Sequence, residues 1–187
     1  MNTEQLQSDL AYVRETVVGA NKSQAPAAIP LLWAAIIAVG FPMVDFAPKS
    51  AGLYWAFAGP IGFLASAFLG WWSSRRHGQV SRSEGLKYFV HWGALLIAIA
   101  LSGALAATKQ ITGEGLGALI LLLLAVFYFL GGLHLERRMG WISLVPACGY
   151  ILVLFVSAHV WTVIGAALAL SLVIAAFVGG AKRAEAV

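Results

Sequence analysis

The chain has 187 residues, 60% hydrophobic and only 11% charged, with 12 Lys and Arg against 8 Asp and Glu. With a mean hydropathy of +0.84, this balance excludes an ordinary soluble domain and points to a bilayer. The pI of about 9.5 comes from basic residues at the ends of apolar stretches, so it implies anionic headgroups rather than nucleic acid.

Residues 1–28 precede the first apolar stretch, and the first 19 read as a short amphipathic helix. Asn2 and Gln5 have the spacing of a capping box, and Gly19 is placed to end the helix. Leu6, Leu10, Val13 and Val17 form one apolar stripe, too short for an autonomous coiled coil. Glu4, Asp9 and Glu15 flank it, which disfavours an anionic membrane surface. The stripe is therefore expected to lie on its own bundle or on a protein partner. The segment lacks the basic and apolar regions of a cleavable signal, so the first span is expected to insert as an uncleaved anchor.

Six apolar stretches follow, at 29–46, 53–72, 89–107, 116–135, 141–158 and 160–180. Each has 18 to 21 residues, enough for a helix rising ~1.5 Å per residue to cross a ~30 Å hydrocarbon core. Ten of the twelve basic residues fall on one side of this alternation, and only Lys49 and Lys109 on the other. The positive-inside rule then makes both termini cytoplasmic. The expected architecture is an all-α integral membrane protein. Residues 1–28 form a cytoplasmic helix and linker, 29–180 a six-helix transmembrane domain, and 181–187 a cytoplasmic tail.

All seven tryptophans lie near predicted span ends, where indoles favour the headgroup depth, so anchoring is their expected role. Trp33, Trp92 and Trp141 each open an outward-going span, and a basic pair follows 42, 45 and 41 residues later. That pattern is open to a 2+2+2 repeat of hairpins. Small residues recur every fourth position: Ala58, Gly62, Ser66 and Gly70 on the second span, Ala94, Ala98, Ser102 and Ala106 on the third, and Ala167, Ser171, Ala175 and Gly179 on the sixth. Such rows let membrane helices approach closely. Intramolecular packing is their first use; a homo-oligomer seam on the second or sixth span is the second. The bulky fourth span is expected to face lipid broadly. Pro42 and Pro146 are placed to kink their helices, whereas Pro60 falls in the first turns of its helix, where proline costs little.

No Asp, Glu, Lys or Arg occupies the middle third of a span, where an ionisable group defaults to a functional reading. Cys148 is the only cysteine, so no intramolecular disulfide or cysteine metal cluster forms. No HExxH, Walker, GxSxG or CxxC arrangement occurs. The chain is expected not to be an enzyme, with no catalytic residues and no metal site.

The main polar cluster is at the cytoplasmic face, where antiparallel third and fourth spans bring His91 and His134 to similar depth, near Glu136. Three uses compete for it. The histidines can hydrogen-bond at the interface while the arginines snorkel to phosphates. Arg76, His77, Arg137 and Arg138 can hold an anionic headgroup or small phosphorylated ligand. His91 and His134 can serve as axial ligands of haem b. At the outer face, Asp45 closes the first span and His159 occupies the last turn; both are expected to be solvated.

These features favour a small non-catalytic multi-pass protein of the bacterial inner membrane. It would act as a scaffold, accessory or regulatory subunit through its N-terminal helix. Alternatives are an oligomeric transporter or channel for a small neutral solute, and a haem-binding redox subunit using His91 and His134.

Overall fold

The computed structural model describes residues 26–77 and 82–184 and the isolated Gln5; for residues 77, 82 and 179–184 it describes the backbone alone. The expected amphipathic helix with Leu6, Leu10, Val13 and Val17 lies outside the described residues, as does its linker through residue 25. Among the described residues, regular structure is entirely α-helical: α1 (Ala28–Phe46), α2 (Pro48–His77), α3 (Arg82–Ala107), α4 (Gly113–His134), α5 (Arg137–Ile142), α6 (Leu144–Val153) and α7 (Val160–Ala184). By length and composition, α1, α2, α3, α4 and α7 can each cross a membrane.

The stretch expected at 141–158 differs. It begins earlier, ends at Val153 and is divided into α5 and α6 at Ser143. Pro146 has no N–H to offer the Ile142 carbonyl, and its ring crowds that carbonyl, so regular pairing fails there. The backbone stays in the right-handed helical region at Ser143, whose N–H still donates to Met139 O at 3.1 Å. The result is one element interrupted at Ser143 rather than two independent helices. Residues 154–159 form the turn into α7, with His159 at a φ of 52°.

The α1–α7 pair is the most extensive contact, although these helices are furthest apart in sequence. Ala34, Ile37 and Phe41 of α1 share a buried cluster with Ile164, Leu168 and Leu172 of α7. Gly165 makes this approach possible, since a Cβ there would collide with the Phe41 side chain. In lipid, where burial supplies little drive between helices, such close backbone packing carries association. The buried line on α7 is thus Ile164, Leu168, Leu172 and Ala175, and Ala167 from the expected small-residue row is exposed.

Helix α2 lies outside this pair and touches only α1 and α3 among the described elements. Here the expected small-residue face is used: Trp33 Nε1 donates to Ser66 Oγ at 3.0 Å, and Ser66 Oγ donates to Gly62 O at 2.7 Å. Pro60 sits deep inside α2 rather than in its first turns, because the helix already starts at Pro48.

Two further expectations are refined. The fourth span, α4, turns Leu122, Val126, Phe129, Leu130 and Leu133 outward, as its bulk suggests, but it also has a narrow packed face. Leu121, Ala125, Tyr128 and Gly131 form a buried face, set against α3, α5 and α6. The tryptophans also divide into two groups: Trp33, Trp55, Trp92 and Trp161 are half-buried packing residues, whereas Trp71, Trp72 and Trp141 are exposed.

Candidate functional site

The largest polar assembly forms where α3 begins, α4 ends and α5 begins. The local sequence explains the sharp change of direction. The N–H groups of Leu135 and Glu136 both donate to Gly131 O at 2.9 Å, which closes α4 tightly. A Cβ on Gly132 would lie 2.5 Å from Gly140 Cα, so only a glycine there lets the start of α5 fold back against α4. Met139 then packs under Gly131 and is buried.

This fold-back leaves Glu136 as the extended residue before α5, without a side-chain cap to its own helix. Its carboxylate turns inward instead. Tyr88 Oη donates to Glu136 Oε1 at 2.7 Å, and Arg138 Nε pairs with Glu136 Oε2. Arg138 Nη1 donates to Ala175 O of α7 at 2.9 Å. One buried carboxylate, 8% exposed, therefore joins α3, α5 and α7. Such burial is tolerable because an opposite charge and a hydroxyl replace its lost hydration; without them an ion at this depth is strongly unfavourable.

The histidines lie beside this assembly on α3 and α4. His134 Nε2 and His91 Nδ1 are 3.2 Å apart, and His91 Nε2 is 3.0 Å from Phe127 O. A carbonyl only accepts, so His91 carries a proton on Nε2; in the neutral ring its Nδ1 then accepts from His134 Nε2–H. Trp92 and Phe127 pack their rings against His91, with centroids at 5.0 and 5.3 Å. Three of the pair's four ring nitrogens are thus engaged. A proton passed along the pair ends at a backbone carbonyl that cannot hand it on. Axial haem ligation through His91 would require it to give up one of these two hydrogen bonds, whereas His134 Nδ1 takes no part in them.

The structure separates the residues expected to hold an anionic headgroup. Arg138 is committed to Glu136 and Ala175, whereas Arg137 is exposed. Arg76 stands at the end of α2, which makes no contact with α5. The His77 side chain lies outside the described residues. Tyr88 is the site residue that sequence reasoning missed, although it lies three positions before His91 and hence on the same helix face.

The opposite end holds a second polar contact, and it corrects the expectation of a solvated Asp45. Asp45 Oδ2 accepts from Thr162 N at 2.7 Å and from Thr162 Oγ1 at 2.6 Å. The end of α1 thereby caps the start of α7, satisfying one of the donors that a helix N-terminus leaves unpaired. His159, in the preceding turn, stacks on Phe46 with centroids 5.2 Å apart.

Comparison with protein-family models, with curated proteins and with solved structures finds no match.

Proposed function

We propose that this chain is a non-catalytic multi-pass membrane protein that acts as an accessory or scaffold subunit. The observation that carries this reading is how the polar groups between the helices are used. Asp45, Glu136 and His91 are each engaged by partners on other helices, which makes them interhelical fasteners rather than a reactive set. Interaction is then left to the surface and to the N-terminal segment. The stripe of Leu6, Leu10, Val13 and Val17 is the partner-binding element in this proposal, and the bacterial inner membrane is its setting.

The proposal includes six crossings with both termini in the cytoplasm. Arg138 at the start of α5 reaches Ala175 near the end of α7, Gly149 of α6 packs against Ile164, and α7 itself starts beside Asp45. The α5–α6 element, interrupted at Ser143, therefore runs alongside α7 through much of its length, which supports a sixth crossing. The basic residues Arg75, Arg76, Arg137 and Arg138 support the orientation.

The test is site-specific photo-crosslinking in the native membrane from a probe at Gln7, beside the stripe. A discrete protein adduct is expected, lost in Leu10→Asp while membrane insertion is unchanged. Adducts that persist in Leu10→Asp, or are confined to lipid, would overturn the partner role. Solute-dependent swelling of proteoliposomes would instead establish the transport alternative.

A further inference from the structure

Helix α2 is longer than the layer it crosses. Its 30 residues give ~45 Å at ~1.5 Å per residue, against a hydrocarbon core of ~30 Å. Its last turns therefore reach headgroup depth, and they carry a duplicated arrangement. Arg75 Cζ lies 4.2 Å from the Trp71 ring centroid, and Arg76 Cζ lies 3.9 Å from that of Trp72. All four residues are exposed.

This stacking has a chemical consequence. An arginine lying on an indole uses its face and keeps its N–H donors in the plane, where the fork fits two oxygens of a phosphate. The indoles themselves favour the headgroup layer, so the guanidinium groups are held at the depth of lipid phosphates. Beside Arg76, a groove of about 210 Å³ runs between Pro26 and Ala28 at the start of α1 and Leu69 and Trp72 of α2. Its walls are mainly apolar, and among the described residues its lining includes no carboxylate. It is smaller than the ~300–1,000 Å³ of ordinary small-molecule pockets, a size suited to a short chain segment rather than to a whole soluble ligand.

We propose that the end of α2 binds one anionic phospholipid, its phosphate on Arg76 with Arg75 beside it and its upper acyl chain in the groove against Leu69 and Trp72. Charge, depth and shape agree on this occupant. Arg137 provides the contrast, because it is also exposed but belongs to a different helix that α2 does not touch.

Native mass spectrometry of the full chain, released from bilayers with equal phosphatidylglycerol and phosphatidylcholine, tests the proposal. One phosphatidylglycerol is expected to be retained above the statistical background. The double variant Arg75→Lys/Arg76→Lys keeps both charges but loses the planar fork, and should lower that retention about tenfold. Arg137→Gln should leave it unchanged, while Ala28→Phe, which fills the groove without altering the arginines, should reduce it. Equal retention of the two lipids would overturn the proposal. So would undiminished retention in the lysine variant, which indicates general attraction to positive charge, or an equal loss in Arg137→Gln. Unchanged retention in Ala28→Phe would remove the groove from the site. Displacement of the lipid by millimolar inorganic phosphate would assign the arginines to a free anion instead.

Discussion

The two ends of the bundle use the same chemical group to solve different problems. At one end Asp45 binds the N-terminus of α7 through a backbone N–H and a hydroxyl, so its charge is met by unpaired donors and the favourable end of a helix dipole. At the other, Glu136 is buried against Tyr88 and Arg138, where a full counter-charge takes that role. The first arrangement tolerates a neutral acceptor, because a cap needs an oxygen more than a charge. The second does not, because removing either charge leaves the other largely buried without its counter-charge.

Single substitutions at the Glu136 end should therefore have the largest effect. Glu136→Leu leaves Arg138 without its counter-charge and should cost about 3–5 kcal/mol, measured as unfolding in mixed micelles of increasing denaturing detergent. The double variant Glu136→Leu/Arg138→Met should recover much of that loss, since apolar replacement of a whole buried pair is often near neutral. A double variant no better than the single one would show that the carboxylate matters chiefly through Tyr88.

Next in size is Gly165→Val, at the Asp45 end, where any side chain meets Phe41. Overpacking of this kind should cost about 1–3 kcal/mol, and pairing it with Phe41→Ala should restore part of it in the same unfolding measurement. Asp45→Ala should cost about 0.5–2 kcal/mol, the range for loss of an N-cap. Asp45→Asn keeps an acceptor oxygen and should recover most of that; an Asn variant as weak as the alanine one would show that charge matters at both ends.

The smallest expected effect lies in the histidine pair. His91→Phe keeps the ring packing against Trp92 and Phe127 but removes both hydrogen bonds, and should cost about 1 kcal/mol. His134 is exposed, and its replacement by alanine should cost less, because water takes over its hydrogen bond. A much larger loss for His134→Ala would point to a role beyond fastening α3 to α4.

How far the site was legible depended on whether its partners were close in sequence. His91 and His134 could be placed at one depth because antiparallel helices joined by a short turn must align their ends. The interruption at Ser143 was legible in part from Pro146, although Pro42 and Pro60 lie inside helices that run on unbroken. The contacts of Asp45 with Thr162 and of Arg138 with Ala175 were not legible. They join residues on helices with no direct chain connection, and composition carries no information on which helices become neighbours. Tyr88 lay between these cases: its face on α3 could be read, but its partner Glu136 became available only when α4 closed at Gly131.

Composition and apolar length by themselves pointed to helices able to cross a membrane, because in hydrocarbon the backbone must satisfy its own hydrogen bonds; the described residues are helical, with five such helices. Only the tertiary structure decided that α1 lies along α7, that α4 has a buried face, and that four tryptophans pack inward while three remain exposed. The physical reason is that water-to-lipid transfer acts on each segment separately and is strong enough to be read from composition. Packing between helices already in lipid depends on the shape of single residues, such as Gly165 against Phe41 and Gly132 against Gly140.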